Sequence, residues 1–510
     1  MIRAIRNLNR LFTIARVLAR HDALAVVDLP IAALASKVLR LGREPLLQGR
    51  PGERLAAALS ELGPTFIKLG QALSTRADLL GEEMAADLSH LQDRLPPFPA
   101  SLARDIIEEE LDGKLSDFYA EFDDQPVAAA SIAQVHFATT SDGRQVAVKV
   151  LRPGVDLAFK KDIDLLRWLA EWVELTQPSL RRLRMVESVD TFAESVQLEM
   201  DLRFEAAAAA ELAENFTGDT SFRVPQVDWQ RTGQRMMTLE RVHGIPVDEV
   251  SAIKAAGIEP DEVLRKAAEA FFNMVFRDGF FHADMHPGNL FVDHDGNLVA
   301  VDFGIMGRVD LKTRRFLGEM LVGFLNGNYR RVAEVHFEAG FVPADQNVDN
   351  FTQACRSIAE PIMGKPLHEI SIARLLGQLF QITEQFSMQT QPQLLMLQKS
   401  MLVAEGVGRT LDNSVNMWEM ARPMIETWMF QHLGPQARLK DGVVGVVQSL
   451  ERLPRMLAET EKAYTNLMNG GLKLHPDTVR AMRGEGGGRR TTAWLPWVLA
   501  AILGILLVLK

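Results

Sequence analysis

A stretch in the middle of the chain places polar side chains between apolar runs. Residues 280–304 read FFHADMHPGNLFVDHDGNLVAVDFG, in which NLFV and NLVAVDF flank the turn DHDG. Two short apolar segments around an Asp-Gly turn predict a β-hairpin. Asp284 and Asn289 precede this hairpin, and Asp302 follows it. Since a hairpin brings its two ends together, we expect these three side chains to converge.

The side chains of Asp284, Asn289 and Asp302 predict a magnesium site. Two carboxylates and an amide present hard oxygen atoms, which suit a Mg²⁺ ion that keeps most of its waters. A metal ion held there would in turn bind phosphate oxygens. The histidines of the stretch could instead indicate zinc, but the oxygen ligands outnumber them. The chain also has a single cysteine, Cys355, and therefore no thiolate cluster.

A lysine within an upstream apolar strand is the second candidate. Lys149 lies in QVAVKVL (145–151), which a Ser-Asp-Gly-Arg turn joins to VAAASIAQVHFATT (127–140). An ammonium group buried in such a strand must be paired or must bind an anion. The alternative is a lysine that faces water. Glu205, within the helical segment 194–216, is a candidate partner.

These residues occur in the order of the parts of a protein kinase. A strand lysine, a helix glutamate, an Asp–Asn pair and an Asp-Phe-Gly sequence (302–304) follow one another. The loop before the lysine strand differs from the usual glycine-rich loop, because it consists of Ala128, Ala129, Ala130 and Ser131. Alanine resists the positive φ angles that glycine adopts, so we expect a stiffer loop. Its backbone N–H groups can still face phosphate.

Together, the motifs resemble those of the UbiB family of atypical protein-kinase-like proteins. The matching segments are KLGQ (68–71), AAAS (128–131), VAVKV (146–150), Glu199-Met200-Asp201, HADMHPGN (282–289) and DFG (302–304). The resemblance implies an α+β, bilobal protein-kinase-like fold with a small sheet-containing N-lobe and a larger helical C-lobe. It also implies a helical N-terminal extension and a C-terminal transmembrane helix.

The same resemblance implies roles for individual residues in binding Mg-ATP. Lys149 would orient the α and β phosphates and would be paired with Glu205. Asn289 and Asp302 would bind Mg²⁺, and Asp284 would occupy the position of a kinase catalytic base. The backbones of Glu240 and Val242, in the connector TLERVHG (238–244), would bind the adenine.

A further implication concerns the KLGQ segment. Lys68 and Gln71 would lie on an added helical segment that covers the active site, where Lys68 meets the acid of the Glu199–Asp201 motif. On one continuous helix, Glu199 and Glu205 are separated by about 240°. We therefore predict two partners for the two acids, Lys68 for Glu199 and Lys149 for Glu205. Without the KLGQ motif, Glu199 would be interpreted as a solvated helix acid.

At 510 residues the chain is too long for one ordinary core, so we expect several units. The pattern predicts a basic amphipathic N-terminal segment (1–53), a helical KLGQ extension (54–118), an N-lobe with an inserted Glu-Met-Asp helix (119–243), a C-lobe (244–430), C-terminal helices with a linker (431–490) and a transmembrane anchor (493–509).

Both ends of the chain have features of membrane contact. The first 50 residues hold nine Lys or Arg and three acids. They predict a helix that either lies on an anionic membrane surface or packs on the protein body with its arginines solvated. Residues 493–509 carry no charge and follow Arg489 and Arg490. We expect a transmembrane anchor there rather than a buried core helix.

The resemblance implies a membrane-associated Mg²⁺-dependent ATPase, or a kinase for a small lipid-like molecule, that supports ubiquinone (coenzyme Q) biosynthesis. Its partners would be ATP, anionic lipids, quinone precursors and other ubiquinone-biosynthetic proteins. A net charge of −10 disfavours nucleic acid. The alternatives are a non-catalytic nucleotide-binding scaffold and a small-molecule phosphotransferase. We expect the bacterial inner membrane, with the catalytic body in the cytoplasm, or else the mitochondrial inner membrane.

Overall fold

A computed structural model describes residues 2–23, 49–74, 81–89, 91, 95–176, 184–361, 378, 381–383, 385–388, 392–412 and 422–429. All of these belong to a unit formed by residues 1–432. Residues 433–510 form a second unit, and the anchor predicted at 493–509 lies outside the described residues. Within the described ranges, no helix has both the length and the apolarity that crossing a bilayer requires.

The described residues include the helices α1 (Ile2–Arg20), α2 (Pro51–Leu62), α3 (Pro64–Ser74), α4 (Glu82–Ser89), α5 (Ala100–Leu111), α6 (Leu115–Phe118), α7 (Val155–Thr176), α8 (Met185–Glu199), α9 (Leu202–Asn215), α10 (Val250–Ala255), α11 (Pro260–Phe272), α12 (Leu311–Leu325), α13 (Tyr329–Glu338), α14 (Val348–Ala359) and α15 (Pro392–Leu411). The strands are β1 (Tyr119–Phe122), β2 (Ala128–Ala129), β3 (Ala133–Thr140), β4 (Gln145–Leu151), β5 (Phe222–Arg223), β6 (Met236–Glu240), β7 (Ile245–Pro246), β8 (Phe280–His282), β9 (Leu290–Val292), β10 (Leu298–Ala300) and β11 (Met306–Arg308).

The sheet of the N-terminal lobe positions Lys149. Strands β1, β3, β4 and β6 lie in that order, and β2 pairs with β3. Strands β3 and β4 form the predicted hairpin around the turn at 141–144. Along β4, Val146, Val148 and Val150 are buried in one face. Because side chains alternate along a strand, Lys149 projects from the opposite face.

A small sheet in the C-terminal lobe presents the polar stretch. The predicted hairpin around DHDG is confirmed, since β9 and β10 are antiparallel and pair Leu290 with Ala300. The sequence also predicts a second β-like pair, FRVPQVDW (222–229) and QRMMTLERV (234–242), joined by QRTG. This pair is only partly present. Residues 226–228 meet β6 through one bridge, whereas β5 pairs in parallel with β10 instead. Pro225 separates the two parts, because proline donates no hydrogen bond to a ladder.

The prediction of one continuous helix over 194–216 is wrong. Helix α8 ends at Glu199, and α9 begins at Leu202. Between them Asp201 is extended (φ −124°, ψ 95°), and its carboxylate accepts a hydrogen bond from the Arg203 N–H at 3.1 Å. Asp201 is therefore the N-cap of α9, a position that aspartate favours because its side chain satisfies an otherwise unpaired N–H group.

The basic N-terminal helix packs on the protein body. Ile14 and Val17 of α1 are buried in a cluster with residues of α2 and α3. The Arg10 guanidinium donates to both oxygens of Asp162 on α7, at 2.7 and 2.8 Å, and Arg20 pairs with Glu61 at 2.8 Å. Arg10 and Arg20 are ion-paired, but 49% of the Arg20 side chain is exposed, so the expectation of a packed helix with solvated arginines is met in part.

The single cysteine offers a test of the packing of α14. Cys355 lies in α14 with 4% of its surface exposed, and burial raises the pKa of its thiol to about 12. Because the thiolate is the reactive form, we expect labelling by a thiol reagent to be at least about 100-fold slower in the native protein than in denaturant. Rapid, complete labelling without denaturant would contradict the packing of α14 described here.

Candidate active site

Three side chains from distant parts of the chain form the centre of the site. The Lys149 ammonium group lies 2.6 Å from Oε1 of Glu205 and 3.2 Å from Oδ2 of Asp302. Glu205 also accepts a hydrogen bond from the Phe303 N–H at 3.4 Å, which ties α9 to the residues after β10. The predicted pair between the strand lysine and the helix glutamate is therefore present, and Asp302 joins it.

Burial and neighbouring charges shift the pKa values of Lys149, Glu205 and Asp302 in different directions. Burial opposes ionisation of Lys149, but Asp302 and Glu205 outweigh it and raise the pKa of the ammonium group. Burial raises the pKa of Glu205. Burial acts in the same sense on Asp302, yet Lys149, with the Gly304 N–H and Lys68 contributing, holds the pKa of that carboxyl well below its usual range. Asp302 is therefore ionised at neutral pH, and 43% of its side chain is exposed.

The loop before β9 brings Asp284 and Asn289 to the same place. The side-chain amide of Asn289 donates to the backbone carbonyl of Asp284 at 3.2 Å. The backbone carbonyl of Asn289 accepts from the N–H of Val301, next to Asp302, at 3.1 Å. His282 bonds through Nε2 to the carbonyl of Asp302 and accepts the Asp284 N–H on Nδ1 at 3.1 Å. Burial lowers the pKa of His282, so its neutral ring can bridge the two segments.

Asn289 and Asp302 fit a magnesium ion. Asp302 supplies an ionised, partly exposed carboxylate. The amide oxygen of Asn289 is a neutral hard ligand, and the amide nitrogen of the same side chain donates to the Asp284 carbonyl. Within the described ranges, no group of three or more His, Cys, Asp or Glu side chains is placed to hold a metal. Two protein ligands with the remaining positions left to water and phosphate is an arrangement that Mg²⁺ prefers.

The alanine loop is fastened to its surroundings. Ala128 and Ala129 pair with β3, and the Ala130 N–H donates to the Ala133 carbonyl at 2.8 Å, which closes a tight turn around the buried Ser131. The guanidinium of Arg152, just after β4, donates to the carbonyl of Ala130 at 3.0 Å. These bonds restrict the loop beyond the effect of alanine alone.

Helix α3, which carries the KLGQ motif, contacts the end of α8. Lys68 Nζ lies 2.8 Å from Glu199 Oε2, and both side chains are mostly buried. Gln71 lies one turn further along α3, on the same side of that helix as Lys68. The two acids thus meet the two predicted lysines. Glu199 and Glu205 reach different lysines because the chain breaks between α8 and α9 at residues 200–201, not because of their angle around a single helix.

Asp201 is held by the neighbouring Arg203. Its carboxylate binds the Arg203 guanidinium at 2.6 and 2.8 Å, and this bond lowers its pKa. We expect Asp201→Ala to cost about 1 kcal/mol of stability, whereas Asp201→Asn is nearly neutral because asparagine also caps helices. Denaturant unfolding of the two variants checks this. A large change in ATP turnover in Asp201→Asn would instead indicate that the charge itself regulates the site.

The connector between the lobes contains Glu240 and Val242. The Glu240 side chain pairs with Arg223, and its N–H donates to the Gln226 carbonyl at 2.8 Å. A contact with adenine would therefore use the Glu240 carbonyl or the Val242 backbone. The role of both residues stays a prediction.

Sequence reasoning missed one residue of the site. Lys399, on α15, lies with Nζ 3.0 Å from Oδ1 of Asp284. The two side chains are separated by 115 positions in the chain. A signal was present, since Lys399 is the single charge within the apolar segment PQLLMLQKSMLVA (392–404).

Two domain families match this chain. Residues 90–336 match the ABC1 atypical kinase-like domain, and residues 355–416 match the UbiB helical domain. The first match includes Lys149, its partner Glu205, the loop with Asp284 and Asn289, and Asp302. The second match includes Lys399. Lys68 precedes both.

Individual relatives agree with these matches. A protein from Marinobacter nauticus called "Probable protein kinase UbiB" is 40% identical over 473 residues, which cover 91% of this chain and 86% of that protein. A protein of the same name from Aliivibrio fischeri is 43% identical over 391 residues, covering 76% and 72%. A Mycobacterium tuberculosis structure, the complex of Rv3197 with erythromycin, superposes with a TM-score of 0.52 at 26% identity and covers 72% of this chain and 94% of that one. With its kinase-like fold, a sheet-containing N-terminal region and a helical C-terminal region, this chain belongs to the UbiB family of atypical kinase-like proteins.

Proposed function

We propose that this protein binds Mg-ATP and transfers the terminal phosphoryl group to water or to a small lipid-like molecule at a membrane, in support of ubiquinone (coenzyme Q) biosynthesis. The proposal rests above all on the Lys149 ammonium group, which bridges Glu205 and Asp302 at 2.6 and 3.2 Å. This is the arrangement by which a kinase couples its phosphate-binding lysine to its metal-binding aspartate.

Each residue of the site has a separate task. Lys149 holds phosphate oxygens, and Glu205 fixes the lysine in place. Asn289 and Asp302 would hold Mg²⁺, which supplies neutralisation of phosphate charge when it is bound. Asp284 accepts the proton of the attacking water or hydroxyl group as the new O–P bond forms and the bond to the β-phosphate oxygen breaks. The nucleotide diphosphate is then the leaving group.

The acceptor is expected to be small. Helix α3 carries Lys68 to within 2.8 Å of Glu199, and the Lys68 charge also acts on Asp302. A segment this near to the metal-binding carboxylate leaves little room for a folded protein substrate. Water or the hydroxyl group of a lipid-like molecule fits the remaining space better.

Two further observations support a role in ubiquinone biosynthesis and a position at the membrane. Relatives at about 40% identity carry the name UbiB, which associates them with ubiquinone synthesis. The uncharged segment 493–509 predicts an anchor next to Arg489 and Arg490, which would leave the catalytic body in the cytoplasm of a bacterium. Anionic lipids, quinone precursors and other ubiquinone-biosynthetic proteins are the proposed partners.

A second function is a nucleotide-binding scaffold without turnover. Asp284 opposes this alternative, because a protein that only binds nucleotide has no use for a carboxylate at the position of the base. A phosphotransferase of soluble small molecules is opposed by helix α3 with its KLGQ motif, which such an enzyme does not need.

ADP formation from ATP by the purified full chain, with and without an added quinone precursor, tests the proposal, because transfer to water and transfer to a hydroxyl group both release ADP. We expect turnover with Mg²⁺, none after chelation of the metal, and a higher rate with vesicles that contain anionic lipid than with neutral vesicles. Mg-ATP binding without ADP formation under any of these conditions would favour the scaffold. Equal rates on both kinds of vesicle would remove the role of anionic lipid.

A further inference from the structure

The ion pair between Lys399 and Asp284 links two parts of the chain that match different families. Asp284 belongs to the kinase-like domain, and Lys399 belongs to the helical domain that follows it. The distance between Lys399 Nζ and Asp284 Oδ1 is 3.0 Å, and the two side chains are 37% and 33% exposed. A cation therefore meets the carboxylate that the proposed function assigns as the base.

The polar stretch itself contains no cation that could take this place. Residues 280–304 include no lysine or arginine. His286, two residues after Asp284, uses Nδ1 to accept the Gly288 N–H at 3.1 Å, so its ring is turned toward its own loop. Lys149 and Lys68 are paired with Glu205 and Glu199.

Helix α15 is fixed where it presents Lys399. Leu397 and Ser400, on either side of the lysine, are buried, and Val407 belongs to the main hydrophobic core. Further along, Ala404 and Val407 line a small apolar cavity together with residues of α11 and with Met285 and Leu290, which flank the polar loop. Helix α15 and Met285, the residue that follows Asp284, therefore line the same small cavity.

We propose that Lys399 is a positioning residue for Asp284, and that the helical domain thereby completes the active site. This inference rests on the proposed function. The ammonium group holds one carboxylate oxygen of Asp284, Oδ1, and so fixes the orientation of the carboxylate. The other oxygen stays available to accept the proton of the nucleophile. Lys399 itself neither gains nor loses a proton in this step.

Steady-state kinetics of two Lys399 variants test this role. We expect Lys399→Met to lower kcat for ATP hydrolysis by about 10- to 100-fold while the KM for ATP changes by less than about twofold, because the lysine acts on the base and not on nucleotide binding. Lys399→Arg should recover much of the loss. Arg409→Met removes a cation from the same helix, where it pairs with Glu405, and should leave kcat unchanged.

A double-mutant comparison separates positioning from a structural role. If Lys399 acts through Asp284, Lys399→Met causes no further loss of kcat in an Asp284→Asn background. A structural effect would instead add to the loss, and unfolding by denaturant would show it. Either additivity, or a Lys399→Met variant as fast as or faster than the wild type, overturns the inference.

Amine labelling supplies a readout that needs no nucleotide. Relative to the exposed Lys254, Lys399 should be acetylated more slowly in the wild type than in Asp284→Asn, because the ion pair covers the amine. Equal relative rates would overturn the ion pair. If the wild type forms no ADP from ATP at all, with or without a quinone precursor, the proposed function fails, whereas the labelling result still decides whether the pair exists.

Discussion

Replacement of Asp302 by asparagine lowers the kcat of ATP hydrolysis by about 10³-fold. Asp302 is the one carboxylate in contact with Lys149 that is both ionised and substantially exposed, so it is the group able to bind a metal and phosphate together. Asparagine keeps the shape and an oxygen that can accept the Gly304 N–H. The charge is lost, and with it most of the attraction for Mg²⁺. Initial rates across a range of Mg²⁺ concentrations measure the effect.

A surface aspartate provides the matched control for this substitution. Asp345 is exposed, and Asp345→Asn makes the same chemical change away from the site. We expect its kcat and its Mg²⁺ dependence to equal those of the wild type. An Asp302→Asn variant with wild-type turnover at all Mg²⁺ concentrations would show that hydrolysis occurs elsewhere on the protein.

Replacement of Lys149 by methionine lowers the affinity for ATP and the stability of the fold together. It leaves Glu205 buried without its cation, which costs about 3 kcal/mol in comparable cases. Burial already raises the pKa of Glu205, and loss of the ammonium group raises it further. Because the folded variant binds this proton more tightly than the unfolded chain does, protonation of Glu205 stabilises the folded state. The stabilisation is complete below the pKa of about 4.3 that Glu205 has in the unfolded chain, and it is lost as pH rises through the higher pKa of the folded state. The stability deficit should therefore grow with pH.

Two further variants separate the two effects of Lys149→Met. Adding Glu205→Gln removes the unpaired carboxylate and should recover part of the stability, but not the affinity for ATP. Lys160→Met changes an exposed lysine of α7 and should alter neither property. Denaturant unfolding and nucleotide titration are the measurements. A Lys149→Met protein that binds ATP as tightly as the wild type would show that the lysine does not contact phosphate.

Local patterns made part of the site predictable from the sequence. The hairpin between Asn289 and Asp302 follows from a short turn between apolar runs, and it determines which residues converge. Lys149 is noticeable because a charge within an apolar strand needs a partner. The pairing of Glu205 with Lys149 follows from the order of the kinase parts, and the pairing of Glu199 with Lys68 follows from the KLGQ resemblance.

Other parts depended on contacts that local patterns do not show. The break between α8 and α9 depends on Asp201 as an N-cap and on the Leu202 N–H, which donates to the distant Gln234 carbonyl at 2.9 Å. The contact of Lys399 with Asp284 requires the packing of α15 beside α11, and no spacing within the chain predicts it. Helix propensity alone would have made 194–216 continuous, since alanine and glutamate favour helix.

A crystal structure of the full chain with Mg²⁺ and a non-hydrolysable ATP analogue would show whether Lys149, Asn289 and Asp302 meet at one bound Mg-ATP. We expect a metal ion bound by the side-chain oxygens of Asn289 and Asp302, with the Lys149 ammonium group in contact with the α and β phosphates. A nucleotide bound away from Lys149, or a metal ion that contacts neither Asn289 nor Asp302, would contradict it.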